Sequence, residues 1–527
     1  MKIFNAIKSS LWIPAISSLI CVLIPLNLSA QTVVLKSKTG NVRIDGKLVA
    51  FDGEFYRVET DLGILTVDGR TVNCTGDGCP SASDLISRFS ISGSGELGKT
   101  VVPALLEAFA LSLEGEITAL NFSANGQTMR VRDLANQEVA EITISAKPEN
   151  VSFADLAKGD TLIAATSRLP TDPEQAALKT ADLGDLMDGK QQQILAVDGI
   201  VAAVSPVNPL DTVALEDLHK ILTGEISNWR EIGGPDVEID LYLPDSIPAF
   251  STMLAASRLA LESDQISTKA TRLETLAQVA DAAAGNPFGI GLTSFSNLRN
   301  ATALGLKGNC GIYSLPSVFT LKSRGYPLTY QHYFFHSKPK LPLFAREFLD
   351  FAKSDQAQNV IRGLGYGDLG ISALSLDHQG LRLASTISQS GKEVPIKTIL
   401  EMVRLQNGAE RLSTTFRFTP GSKTLDTQSQ QNADLLASGL ILGNYADKQV
   451  HIIGYTDAAG SSSRNMLLAE KQAKAVRTAL IAAAPEGSLD DVDFFVSGFG
   501  EASPLACEDT EAGKQTNRRV EIWIKDR

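Results

Sequence analysis

The sequence predicts a multidomain protein of mixed α/β and α+β class, and three observations support this. A chain of 527 residues is too long to be organised around one hydrophobic core. Residues 32–73 alternate apolar and polar positions between turn-forming dipeptides, which predicts short β-strands joined by hairpins. From about residue 86 onward, strand-like segments alternate with amphipathic helical segments, which predicts α/β architecture. We expect a small β-rich module at 31–85, an α/β module at 86–372, a helical connector at 373–411 and a β/α sandwich at 412–527.

Composition narrows the functional class. Hydrophobic residues make up 43% of the chain and charged residues 20%, which is typical of globular domains rather than disordered ones. The formal net charge is −12, which disfavours attraction to the phosphate backbone of nucleic acids. No nucleic-acid partner is therefore expected.

The N-terminus has the order of a secretory signal. Lys2 and Lys8 precede an apolar run at 11–28, which ends in the small residues Ser29 and Ala30. A retained membrane anchor is the alternative, but prolines interrupt the run and no basic cluster follows it. We predict a signal peptide at 1–30, export, and a mature protein in the periplasm that is associated with the cell wall or the outer membrane.

The cysteines after residue 30 fall into two kinds. Cys74 and Cys79 enclose a short segment with two glycines, and no nearby histidine or third cysteine completes a zinc site. We predict a disulfide between them, because export permits disulfides, with a pair of free thiols as the alternative. Cys310 and Cys507 lie in different predicted modules, and the sequence leaves their pairing open, with two unpaired thiols as one possibility.

The α/β module carries a family resemblance. A strand at Phe89–Ser92 leads into the turn 93–95. Two other stretches carry the same likeness, a continuous one at 196–240 and a shorter one at 286–291. Together these segments resemble phosphate-type periplasmic substrate-binding proteins. The resemblance implies two α/β lobes with a ligand in the cleft between them, and it assigns to that cleft Ser94, Gly95, Asp160, Ser167 and Arg168.

The resemblance is incomplete in the second lobe. Where the family has an Arg followed closely by Ser-Gly-Thr, residues 242–252 contain neither Arg nor Gly, and Asp245 adds a negative charge. Residues 125–128 also replace a short phosphate-binding loop of the family. Phosphate or a related oxyanion, another small ligand, and a scaffold that has lost its ligand all remain open.

The C-terminal module also carries a resemblance. Its ordered features are Phe416 with Phe418, Gly454 to Asp457, Gly498 to Glu501, and Asn517 to Val520. In this order they resemble the peptidoglycan-binding domain of the OmpA family, which implies recognition of meso-diaminopimelate in the peptidoglycan stem peptide.

The resemblance assigns four residues to the wall site. Asp457 would receive the ligand ammonium, and Asn465 and Arg518 would complete the site. Fifteen positions after Asp457, where the family has an Arg for the ligand carboxylate, stands Gln472, so we expect weaker binding. Three alternatives remain open: Asp457 is only a structural cap of its loop, Gln472 only covers the edge of the core, or Arg464 or Lys471 supplies the missing cation.

No enzymatic, metal-binding or cofactor-binding motif is present in the sequence, because the five histidines fall in no recognisable arrangement. We therefore predict a non-catalytic periplasmic binding protein, anchored non-covalently to peptidoglycan, that presents its substrate-binding-protein-like module to an oxyanion, another small ligand or an envelope protein. A phosphate-type transport receptor and a structural spacer between wall and outer membrane are the alternatives.

Overall fold

A computed structural model describes residues 32–527 apart from 39, 41, 52–54, 81–85, 124, 182, 184, 246–253, 255–258, 260, 262, 337–340, 390–393, 420 and 423. The predicted signal peptide and most of the divergent segment 242–252 lie outside the described residues. The chain divides into two compact units, 1–85 and 86–527.

The first unit is an antiparallel sheet with strand order β4-β3-β2-β1-β5. Its core consists of Val33, Leu35, Tyr56, Val58 and Val72. The predicted disulfide between Cys74 and Cys79 is confirmed, with Cα atoms 5.8 Å apart. The short strands predicted at 32–73 are confirmed, and the last strand, β5, pairs with β1 next to this disulfide. The bounds are β1 Thr32–Ser37, β2 Arg43–Phe51, β3 Phe55–Thr60, β4 Gly63–Asp68 and β5 Val72–Thr75.

The first lobe of the second unit is built on strands in the order β10-β6-β9-β8-β7. Its helices pack on this sheet through a core that includes Leu105, Phe109 and Ile142. The strands are β6 Ser87–Gly93, β7 Glu116–Ser123, β8 Gly126–Arg132, β9 Glu138–Ala146 and β10 Ile163–Thr166. The helices are α1 Val102–Ser112, α2 Glu149–Lys158 and α3 Asp172–Thr180.

Two long strands, β11 Gln192–Val204 and β19 Thr329–His336, connect the lobes. The first part of β11, up to Gly199, pairs with β19, and the part from Ile200 pairs with β15 of the second lobe. Every residue of β11 is buried, as expected for a strand covered on both faces. A separate core around Trp229 and Leu292 defines the second lobe, so the two-lobed α/β architecture is confirmed.

Among the described residues, the second lobe is completed by short strands and three helices. The strands are β12 Thr212–Ala214, β13 Asp240–Pro244, β14 Thr271–Leu273, β15 Gly289–Ser294, β16 Thr302–Ala303, β17 Gly305–Lys307 and β18 Tyr313–Ser314. The helices are α4 Leu215–Thr223, α5 Leu276–Gly285 and α6 Val318–Lys322. After β19, helices α7 Leu343–Phe351 and α8 Asp355–Gly363 return to the core of the first lobe.

The C-terminal region is a five-stranded sheet with order β20-β21-β24-β22-β23 and helices packed on it. Helix α12 approaches the sheet so closely that a Cβ on Gly454 would lie 2.0 Å from the carbonyl oxygen of Ala469, so only glycine fits there. The strands are β20 Ala373–Ser375, β21 Ala409–Phe416, β22 Lys448–Tyr455, β23 Phe494–Gly498 and β24 Arg519–Asp526. The helices are α9 Gly380–Gln389, α10 Ile396–Gln406, α11 Thr427–Ile441, α12 Ser462–Ala482 and α13 Glu511–Asn517.

The segment expected to be a connector packs into this C-terminal fold. It contains the two helices α9 and α10, but β20 also pairs with β21. Arg382 of α9 lies 2.8 Å from the carboxylate of Glu521, and Gln406 of α10 donates to the hydroxyl of Tyr455. These buried contacts make the segment part of the domain rather than a free linker.

The C-terminal domain is docked onto the second lobe. Arg417, which is buried, donates to the carbonyl oxygens of Ser323, Arg324 and Thr516. Arg324 also forms a 2.7 Å ion pair with Asp426. None of the described helices is both long and apolar enough to cross a lipid bilayer.

A disulfide joins Cys310 to Cys507, a pairing that the sequence left open. They lie in modules that are far apart in sequence, and only the docking of the two domains brings them together.

Candidate functional site

A cavity of about 610 Å³ lies between the two lobes. First-lobe residues around Ser94 and Glu149 face second-lobe residues around Thr275 and Ser296, with Asp198 of β11 at the connection. The volume falls within the range of small-molecule sites. This is the cleft that the two-lobed fold predicted.

A buried carboxylate, that of Glu149, occupies the first-lobe wall of the cavity. Its Oε1 accepts from the Ser167 backbone N–H at 2.5 Å and from the Ser94 hydroxyl at 3.3 Å. Its Oε2 lies 2.9 Å from Nε of Arg168, a contact that is ionic rather than a directed hydrogen bond. Burial raises the pKa of Glu149, and the donors around it oppose that rise.

Arg168 is fixed behind Glu149 by several contacts. Its guanidinium forms two parallel hydrogen bonds with Glu174, at 2.7 and 2.8 Å, and lies over the ring of Phe153. Burial acts to lower the pKa of Arg168, but the two carboxylates raise it above its usual value. Arg168 is therefore a fixed cation that contacts the cavity-lining carboxylate of Glu149.

A second polar cluster lies where the two crossover strands face the cavity. Asp198 accepts from Oγ of Ser296 at 2.6 Å and from the hydroxyl of Tyr330 at 3.1 Å. His332 shares a hydrogen bond with Oγ of Ser167 through Nδ1, while its buried Nε2 has no hydrogen-bond partner. Burial, together with Asp198, holds the pKa of Tyr330 well above its usual value. The cluster links both lobes, and Nε2 of His332 lies 3.8 Å from Oδ2 of Asp198.

Three of the five predicted cleft residues, Ser94, Gly95 and Ser167, line the cavity. Arg168 does not line it but contacts Glu149, which does. Asp160 was placed wrongly: it is exposed and is not among the lining residues. It follows Gly159, which ends α2 in a left-handed conformation, and this turn directs the Asp160 side chain to solvent.

Sequence reasoning missed Glu149, Asp198 and His332 as cleft residues. An acidic residue at the start of a predicted helix is usually a solvated end charge, so Glu149 gave no signal. His332 was one of five histidines in no recognisable arrangement. It lies on β19 and is buried beside the cavity.

Two of the three remaining cations of the cavity wall are paired with acids. Lys147 lies 2.5 Å from Asp155, and Arg299 lies 2.8 Å from Asp281. The third, Lys99, is exposed to solvent. Among the described residues, no group of three or more His, Cys, Asp or Glu side chains is arranged to hold a metal ion. The cavity therefore offers polar groups of both signs rather than a concentrated positive field.

The predicted wall site centres on Asp457, which is buried at the end of β22. Its Oδ2 lies 2.9 Å from Nη1 of Arg518, and its Oδ1 accepts from the N–H of Ala459. Arg518 also pairs with Glu511. The structure thus brings together Asp457 and Arg518, two of the four predicted residues, and it shows Asp457 both accepting from its own loop and contacting a guanidinium group.

Asn465 and Gln472 lie on α12, and each has a buried polar atom without a hydrogen-bond partner, Nδ2 of Asn465 and Oε1 of Gln472. A Cβ on Gly500 would lie 3.3 Å from Cβ of Asn465, and Gly500 accepts from the N–H of Thr456, next to Asp457. Asn465 is thereby placed beside the Asp457 loop. Gln472 is seven residues further along the helix, on the same side and about 10 Å away along its axis.

Glu508 is a further carboxylate at this site that sequence reasoning missed. Both of its oxygens accept from the N–H of Ala458, at 3.0 and 2.9 Å, and Oε1 also accepts from Asn517. Cys507 of the interdomain disulfide precedes it directly. Arg464 and Lys471, the alternative cations, are both exposed on α12.

Family models match both parts of the second unit. Residues 122–356 match a PBP superfamily domain, and residues 417–518 match the OmpA family. The chain joins a PBP superfamily domain to an OmpA family domain. Both resemblances seen in the sequence are thereby confirmed.

Individual relatives cover only parts of the chain. The phosphate-binding protein PstS of Bacillus subtilis is 32% identical over 177 residues, which is 33% of this chain and 55% of PstS, so the chain spans about half of that relative's length. The peptidoglycan-binding protein ArfA of Mycobacterium tuberculosis is 38% identical over 78 residues, 15% of this chain and 23% of ArfA. A phosphate transport receptor from Vibrio cholerae aligns at a TM-score of 0.40 with 19% identity, covering 53% of this chain and 99% of the receptor.

Proposed function

We propose that this protein is a non-catalytic periplasmic binding protein that is anchored non-covalently to peptidoglycan through its C-terminal domain. The two-lobed module would present its cleft to a small ligand at the wall. The B. subtilis relative, described as phosphate-binding, and the M. tuberculosis relative, described as peptidoglycan-binding, support the two halves of this proposal.

The observation that carries the proposal is the covalent and buried connection between the two domains. The Cys310–Cys507 bond, the Arg324–Asp426 ion pair and the hydrogen bonds of Arg417 fasten the cleft-bearing lobe to the OmpA family domain. A freely diffusing receptor has no need of such a connection. A module held on an anchoring domain does, because the connection fixes where its ligand is bound.

Recognition of the wall would use the charges around Asp457. Asp457, Glu508 and Glu511 outnumber Arg518, so this surface attracts an ammonium group, such as that of diaminopimelate in the stem peptide. To reach Asp457, the ligand ammonium must share the carboxylate with Arg518. Gln472 supplies an amide where the family has a guanidinium, so the ligand carboxylate is held without a charge-assisted contact.

The proposal is tested by sedimentation of the mature chain with purified insoluble peptidoglycan that contains diaminopimelate. We expect the protein to sediment with the wall, and free meso-diaminopimelate to release it. Salt should weaken retention, because the site is charged and close to the surface. Protein that stays in the supernatant at every salt concentration would rule out the anchoring role.

A phosphate transport receptor is the second candidate, and the identity to PstS of B. subtilis favours it. In that case the cleft should bind inorganic phosphate and the wall interaction should be absent. Measurement of both properties on the same preparation separates the two candidates.

A further inference from the structure

The contacts of Glu149 describe an occupied anion site. A backbone N–H, a serine hydroxyl and an arginine converge on its carboxylate, from Ser167, Ser94 and Arg168. This combination of donors is the one that proteins use to hold phosphate and related oxyanions. Here the negative charge belongs to the chain itself.

The site is built rather than incidental. The Glu149 side chain is only 2% exposed and lines the cavity between the lobes. Arg168 is fixed by its two hydrogen bonds with Glu174, and the hydroxyl of Ser167 is engaged by His332. Each donor is thus oriented before any ligand arrives, and each is directed at Glu149 or held by another side chain.

We propose that the carboxylate of Glu149 acts as an internal anion that fills the oxyanion position of the cleft and excludes inorganic phosphate from it. The inference rests on the proposed role of the cleft as a ligand site and defines its selectivity. A phosphate ion entering the cleft would find the N–H, hydroxyl and guanidinium groups already used. It would also meet a like charge in a poorly solvated place.

The remaining charges of the cleft favour the same selectivity. Asp198 is 1% exposed and accepts hydrogen bonds from backbone N–H and hydroxyl groups, while Nε2 of His332 lies 3.8 Å from its carboxylate. Of the cationic side chains that line the cavity, Lys147 and Arg299 are paired with aspartates outside it, and Lys99 is exposed to solvent. The ligand that the cleft accepts is therefore neutral or cationic in the part that contacts Glu149 and Asp198.

The test is equilibrium dialysis of the full mature chain against radiolabelled inorganic phosphate, for the wild type, Glu149→Ala and Glu274→Ala. Glu274 lines the same cavity and is exposed. Its replacement therefore removes one negative charge from the cavity but leaves the donors around Glu149 in contact with that carboxylate. We expect no saturable phosphate binding for the wild type and for Glu274→Ala. Glu149→Ala should show saturable phosphate binding, with an affinity at least about tenfold above the upper limit that the wild-type measurement sets, because the charge-assisted donors become free.

Three outcomes overturn the inference: saturable phosphate binding by the wild type, failure of Glu149→Ala to gain binding, or an equal gain in Glu274→Ala. If Glu149→Ala is poorly folded, Glu149→Ser provides the same vacancy with a residue suited to a helix start. Sedimentation of the same variants with peptidoglycan is measured in parallel and should not change. If the wild type and all the variants fail to bind the wall, the proposed anchoring is wrong. The phosphate measurement would still test the role of Glu149.

Discussion

Cys310 in the second lobe is bonded to Cys507 in the C-terminal domain, with their Cα atoms 5.7 Å apart. Cys507 immediately precedes Glu508, whose carboxylate accepts from the N–H of Ala458 beside Asp457. The bond therefore fastens the lobe to the loop that borders the predicted wall site. The second lobe and the C-terminal domain, which the sequence places in separate modules, are thus joined by a covalent bond.

Removing this bond should destabilise the second unit. We expect the double variant Cys310→Ser/Cys507→Ser to lose about 2 to 5 kcal/mol of unfolding free energy, because the unfolded chain is no longer constrained by a long closed loop. Thermal melting with and without reductant measures the effect. Cys74→Ser/Cys79→Ser, which opens the disulfide of the first unit, is the control and should keep the sensitivity of the second unit to reductant. Equal melting of the first variant and the oxidised wild type would show that the bond carries no stability.

The ion pair between Arg324 and Asp426 should stabilise the docked arrangement. Asp426 also caps α11 by accepting from the N–H of Ser429 at 2.8 Å, so Asp426→Ala loses a cap and an ion pair. Asp426→Ser keeps a capping oxygen and loses only the pair. We expect Asp426→Ala to cost about 2 to 3 kcal/mol and Asp426→Ser about 1 kcal/mol less. Unfolding in urea measures both, and identical losses would contradict the double role.

A buried ionic cluster makes the C-terminal domain sensitive to acid. Burial alone would raise the pKa of Glu521, but Arg382, Arg411 and Arg519 surround it and lower that pKa well below its usual value. A carboxyl whose pKa is depressed on folding stabilises the fold above its unfolded pKa of about 4.3, and this contribution is lost as the pH falls toward the folded value.

We therefore expect Glu521→Gln to lose about 3 to 5 kcal/mol near neutral pH, because three buried guanidinium groups remain without their counter-charge. The difference from the wild type should shrink progressively below about pH 4.3. Unfolding midpoints measured across this range provide the test, with Glu486→Gln, an exposed acid of the same domain, as the control. A difference that stays constant with pH would contradict the assigned ionisation.

Periodicity predicted much of the fold. The face formed by Ala469, Ala473, Val476 and Leu480 is buried as its spacing indicates, and the strand expected at Phe89–Ser92 is β6. Such patterns are local, so they can be seen in the sequence.

The chemistry of the cleft could not be predicted in the same way. Glu149 acquires its role only from Ser94 and Ser167, which lie 55 and 18 residues away. Cys310 and Cys507 are 197 residues apart and meet through domain docking. Asp160 was assigned by position in a motif, but the turn after Gly159 directs it away from the cavity.

The substitution Gln472→Arg should strengthen wall binding, because a guanidinium would restore a charge-assisted contact to the ligand carboxylate. The gain should be about tenfold in affinity, as expected for one such hydrogen bond. Thr478→Arg is a charge-matched control, since Thr478 is exposed on the same helix but lies away from the Asp457 loop. If neither arginine improves sedimentation, Arg464 is the next cation to test, and Arg464→Ala should then lose binding.

Wall binding at Asp457 is tested most directly by the fraction of protein that sediments with purified diaminopimelate-type peptidoglycan. Wild type, Asp457→Ala and Asp491→Ala should be compared at the same concentration, because Asp491 is an exposed acid of the same domain. Circular dichroism and thermal melting establish that each variant is folded. We predict that the wild type and Asp491→Ala sediment with the wall while Asp457→Ala remains largely in the supernatant. A folded Asp457→Ala variant that sediments as fully as the wild type would contradict wall binding through Asp457.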